Sequence, residues 1–126
     1  MAFEGSVLTK ASRFAATGLG ATCVHVSVAL ACLKLSGLGP MYANGIAFLT
    51  ANTLSYFLNT MWSFEQPTSG RNYTRFIATS LLGLGISVSI SGVASTAGLS
   101  DLIGLLMVAI VLPPITFLAH LLWTYK

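Results

Sequence analysis

Charged side chains punctuate this chain at Glu4, Lys10, Arg13, Lys34, Glu65, Arg71, Arg75, Asp101 and Lys126, and the stretches between them are overwhelmingly apolar. The uncharged runs 14–33, 35–64, 76–100 and 102–125 each reach the roughly 20 apolar residues that cross about 30 Å of hydrocarbon as a helix. Within the second run, Ser36-Gly37-Leu38-Gly39-Pro40 carries a turn signature, so its helix is expected to begin near Met41. The pattern therefore predicts an all-α membrane protein, a single domain over 1–126. Its four transmembrane helices fall at about 14–35, 41–64, 76–98 and 102–125.

Composition strengthens that reading. The chain is 55% hydrophobic and 7% charged, with a mean hydropathy of +0.82. A soluble helical bundle needs polar outer faces, whereas these segments are apolar nearly all round. No separate apolar stretch with a small-residue cleavage site precedes the first span, so no removable signal is expected. Lys10, Arg13, Arg71, Arg75 and Lys126 fall on one side of the membrane and Lys34 on the other, which predicts both termini inside. The net charge of +3 reflects that topology: the cations sit at helix ends, where they meet anionic membrane lipid, and form no nucleic-acid patch. Cys23 and Cys32 lie in one span with neither disulfide nor metal-site spacing, and read as small packing residues.

The chain repeats itself. Residues 54–65, LSYFLNTMWSFE, align without a gap to 115–126, ITFLAHLLWTYK, pairing Trp62 with Trp123. RFAATGLGATCVHVS from Arg13 and RFIATSLLGLGISVS from Arg75 share seven of fifteen residues. Composition explains matched leucines, but not Arg-Phe and Trp-(Ser/Thr)-aromatic at matching helix ends. Two helical hairpins of the same sense, a parallel N-in/C-in repeat about an axis along the membrane normal, are the expected architecture.

Polar residues inside the spans are the candidate chemistry. Asn52, Ser55, Asn59 and Trp62, spaced three, four and three apart, are expected to share one face of the second helix. Unmet amides in hydrocarbon cost several kcal/mol, so that face must meet another helix, a wet cavity or a polar ligand. His25 and Asn52 fall at similar depth, about 17 Å in, and are placed to meet near the midplane. Pro113 and Pro114 withdraw two backbone donors from the fourth helix, and the repeat register sets Pro113 opposite Asn52. Arg13 and Arg75, with Lys10 and Arg71 nearby, are candidates for holding a phosphate at the inner mouth, beyond their role as topology anchors. Trp62, Phe64, Trp123 and Tyr125 read first as interfacial anchors, with stacking on a sugar a secondary role. The small-xxx-small pairs Ala16/Gly20 and Gly18/Thr22 are expected at a close helix contact.

Together these residues resemble the GtrA-like family of small four-helix membrane proteins, whose second helix ends near N-x-x-W-[ST]-F, here Asn59-Thr60-Met61-Trp62-Ser63-Phe64. The likeness runs from Arg13-Phe14, Gly18 and Gly20 to Trp123-Thr124-Tyr125. The family often has an aspartate where His25 stands and arginines where Thr60 and Met61 stand, so charge-dependent steps at those positions are not carried over. The resemblance implies translocation of a polyprenyl-phosphate-linked sugar from the inner to the outer leaflet of a prokaryotic cytoplasmic membrane, for surface polysaccharide modification. Arg13 and Arg75 would capture the phosphate, while His25, Asn52, Ser55 and Asn59 would offer hydrogen bonds to the sugar. The alternative is a noncatalytic anchor or partner of a polyprenyl-phosphate glycosyltransferase. A small multidrug exporter would need a buried glutamate in the first helix, and Glu4 and Glu65 both lie at edges. No nucleotide-binding loop or catalytic pair is evident, so neither a cofactor nor enzymatic activity is expected. A homodimer would give such a short chain more room for a path.

Overall fold

The computed structural model describes residues 2–126, which are helical apart from short connections: α1 Ala2–Leu35, α2 Pro40–Leu58, a π-helical turn Asn59–Ser63, α3 Gly70–Thr96, α4 Asp101–Ala119 and a second π-helical turn His120–Thr124. Helix thus extends before Arg13 and before Arg75, ahead of the apolar runs. Among the described residues, Ser6–Leu35, Gly70–Thr96 and Asp101–Thr124 are long and apolar enough to cross a membrane. The shorter α2, of 19 residues, lies outside that set.

Local signals account for the helix ends. Pro40 opens α2 at the first helical turn, where a missing N–H is harmless. The hydroxyls of Ser69 and Ser100 accept the backbone N–H groups of Asn72 (3.1 Å) and Ile103 (3.3 Å), capping α3 and α4. Gly37 and Gly98, at φ +64° and +79°, supply the left-handed turns after α1 and α3. α4 runs as helix through Pro113 and Pro114, and the Thr116 hydroxyl donates to the Leu112 and Pro113 carbonyls at 3.1 and 3.2 Å.

The chain forms two compact units, 1–68 and 69–126. In the first, α1 packs on α2 and its π turn; in the second, α3 packs on α4 and its π turn. Each pair is built on a seam of residues four apart. In α2 the seam is Ala43, Ala47, Ala51, Ser55, Asn59 and Ser63; in α4 it is Gly104, Val108, Leu112, Thr116, His120 and Thr124, all buried or half-buried. The two seams differ by 61 residues at every position, so the duplication seen in the sequence holds at the level of packing. Small seam residues let helix backbones approach, which is how helices associate where lipid removes the hydrophobic driving force. A Cβ on Gly104 would lie 3.4 Å from the Ala94 Cβ, and one on Gly83 3.3 Å from the Thr116 Cγ2.

The small-xxx-small pairs of α1 are not at this contact. Ala16, Gly18, Gly20 and Thr22 are exposed on the first pair, and nothing lies within 4 Å of a Cβ built on Gly18 or Gly20. The α1 face that meets α2 instead carries Thr17, Ala21 and Ala29.

Candidate functional site

Both units close one end with the same arginine clasp. The Arg13 guanidinium donates to the Trp62 carbonyl at 2.9 Å, lies 5.5 Å from the Trp62 ring and pairs with the Glu65 carboxylate. The Arg75 guanidinium donates to the Trp123 carbonyl at 2.7 Å and the Lys126 carbonyl at 3.0 Å, and lies 5.2 Å from the Trp123 ring. Arg71 donates to the same Lys126 carbonyl at 3.0 Å. The last carbonyls of any helix lack an intrahelical partner, and a planar guanidinium with five donors can meet them. Arg13 is therefore committed to Glu65 and a helix carbonyl, not held as a free cation. In the second unit, Arg71 and Arg75 converge on one carbonyl oxygen.

Beneath each clasp lies a buried hydroxyl pair. Thr17 and Ser63 share a hydrogen bond at 3.3 Å, Thr79 and Thr124 one at 3.1 Å, and Thr124 also meets His120 Nδ1 at 3.0 Å. His120 stacks on Phe76 with centroids 4.7 Å apart, while in the first unit Phe14 meets Phe64 edge-on at 6.2 Å. Thr17, Ser63, Thr79, Thr124, His120 and Glu65 are thus structural members of the site that helix-face reasoning missed. The repeat carried the signal, because Thr17 and Thr79 are identical partners in it and Ser63 matches Thr124.

In the π turn, the Phe64 N–H reaches the Asn59 carbonyl five residues back, at 2.8 Å. Ser63, four residues after Asn59, holds the buried seam position, while Trp62 is 46% exposed with its ring beside Arg13.

The structure brings together three of the remaining candidates. His25, Asn52 and Ser55 line a recess of about 220 Å³ between α1 and α2, with Thr22, Phe48 and Ala51 completing much of its wall. Asn59 is 2% exposed and donates to the Ser55 hydroxyl at 3.0 Å. Among the described residues, its buried Oδ1 has no hydrogen-bond partner, a cost of about 1–3 kcal/mol unless a donor reaches it. The corresponding place in the second unit carries a larger side chain. Leu112 stands where Ala51 is, its Cδ1 3.7 Å from the position of a Gly83 Cβ, and Thr116 packs beside it.

A clasped end in each unit and a polar recess in the first define the site. The family model of the GtrA/DPMS transmembrane domain matches residues 13–125, opening at Arg13 and closing one residue past Thr124. The chain belongs to this family. GtrA/DPMS transmembrane domains are linked to the handling of lipid-linked sugars, and the family match with the apolar helices makes the chain a multi-pass membrane protein. No curated protein and no solved structure matches it.

Proposed function

We propose that this GtrA-like protein flips a polyprenyl-phosphate-linked sugar from the inner to the outer leaflet of a prokaryotic cytoplasmic membrane. The carrying observation is the recess of Thr22, His25, Asn52 and Ser55 between two largely apolar helices, with the side-chain amide oxygen of Asn59 buried and unmet one turn away. Hydroxyl, imidazole and amide groups offer both donors and acceptors, the set a sugar needs when it leaves water. The prenyl tail stays in lipid. In this reading α2 and its π turn together form a fourth span, the four spans are two parallel hairpins, and the Lys and Arg distribution places both termini in the cytoplasm.

The phosphate is assigned to the clasped ends. Arg71 and Arg75 come together on the main-chain oxygen of Lys126, and paired guanidinium groups suit a phosphate, whereas the charge of Arg13 is matched by Glu65. With acids only at Glu4, Glu65 and Asp101, no mid-span carboxylate couples movement to protons. Flipping is then reversible and follows the lipid's own gradient. A homodimer would supply further wall to the path.

The family description, which also names the DPMS transmembrane domain, favours a second reading as membrane anchor or partner of a polyprenyl-phosphate glycosyltransferase. Deleting the gene in its host separates the two. Flipping predicts that the lipid-linked sugar accumulates in the inner leaflet while transferase abundance is unchanged. Loss of the transferase itself supports the anchor and contradicts flipping.

A further inference from the structure

At the end of the second helix pair remote from Arg75, α3 and α4 enclose a recess of about 180 Å³ lined by Ser91, Ser95, Leu99, Ser100, Asp101 and Leu105. Of its polar groups, only the Ser100 hydroxyl is used by the fold, as the cap of α4. Elsewhere in α3 the hydroxyls of Thr74, Ser80 and Ser89 donate to the carbonyl one turn earlier, at 2.8, 3.0 and 2.8 Å. Ser91, Ser95 and Asp101 make no side-chain hydrogen bond or ion pair among the described residues. Ser100 accepts the Ile103 N–H, which leaves its hydroxyl proton to give.

The repeat shows that these groups are not demanded by the architecture. At the corresponding positions the first unit has Ala29, Leu33, Gly39 and Pro40, four residues without a polar side chain. A carboxylate and three hydroxyls have therefore been placed around an aliphatic wall in one repeat alone. A carboxylate accepts two adjacent hydroxyls at once, serines give and accept, and the aliphatic wall suits the apolar face of a pyranose. The carboxylate repels phosphate.

We propose that this recess is a carbohydrate subsite that receives the sugar hydroxyls, with Asp101 as the principal acceptor. The assignment rests on the flipping reading and adds a second station to it. Ser95 lies twenty residues along α3 from Arg75, about 30 Å, so one headgroup cannot touch both ends at once. A lipid-linked sugar would engage cations through its phosphate at one end and hydroxyls through its sugar at the other. Repulsion between Asp101 and the adjoining phosphate would keep the second station weak enough to release its cargo.

The test uses the full chain in nanodiscs, with methyl glucoside as probe and saturation-transfer NMR as readout, and inorganic phosphate as the anionic comparison. Wild type is expected to bind the glycoside and not phosphate at this end. Asp101→Asn, and Ser95→Leu with the residue of the other repeat, are each expected to weaken glycoside binding by about tenfold or more. Ser95 is exposed, so the second variant keeps the test sound should Asp101→Asn unfold. No glycoside signal in wild type, or equal signals in all three proteins, overturns the subsite. Glycoside binding lost in both variants, from a wild type that fails to move lipid-linked sugar in vesicles, overturns flipping and retains the subsite.

Discussion

Ala51→Leu asks whether the polar recess is the path or an accident of packing. Ala51 is buried on the α2 seam and lines the recess, and the repeat places Leu112 at the same position, its Cδ1 3.7 Å from where a Gly83 Cβ would lie. A leucine at position 51 fills part of the roughly 220 Å³ without removing any polar group. Overpacking usually costs about 1–3 kcal/mol, but here the added carbons enter open space, so stability is expected to change by less than about 1 kcal/mol. If two or three sugar hydrogen bonds of about 1 kcal/mol each are lost during transit, the barrier rises by about 2–3 kcal/mol. Flipping then slows roughly 30- to 160-fold. The assay is reconstitution into vesicles with a short-chain polyprenyl-phosphate sugar, following exposure to an impermeant reagent, with thermal unfolding as the folding control. A folded Ala51→Leu protein that flips within twofold of wild type would refute the recess as the path.

Three further outcomes are expected. Thr124→Val removes the shared partner of Thr79 and His120, and should lower stability by about 1–3 kcal/mol in thermal unfolding, more than Thr79→Val, which leaves the His120 contact standing. Glu65→Gln removes the carboxylate from a partly exposed ion pair, so it should cost under about 1 kcal/mol, while phosphate binding near Arg13, measured by titration at low salt, strengthens. Gly83→Ala brings a Cβ within 3.3 Å of Thr116 and should destabilise by about 1–3 kcal/mol, whereas Gly85→Ala, with nothing within 4 Å, should be neutral or mildly stabilising by helix propensity.

The helices and the duplication were legible because charge gaps and Arg-Phe and Trp-Ser/Thr pairs survive without knowledge of geometry. His25, Asn52 and Ser55 were found because polar groups in apolar helices must be explained. The place of Trp62 beside Arg13 was not legible, because residues three and four after Asn59 flank its face and a 3.6-residue count does not say which of Trp62 and Ser63 packs inward. The α1 glycines stand away from the α1–α2 contact because a small-residue spacing shows that a helix can be approached, not from which side. The difference between the units at Ala51 and Leu112 gained its meaning only from knowing that both stand on the seam.

Flipping is tested most directly by reconstituting the wild-type chain into vesicles that carry a labelled short-chain polyprenyl-phosphate sugar in both leaflets, and measuring how much becomes accessible from outside. The account predicts that the inner pool is exposed much faster than in protein-free vesicles, without ATP or an imposed proton gradient. Exposure no faster than in protein-free vesicles, with correctly folded protein in the membrane, would contradict it and leave the anchoring role as the reading of this family member.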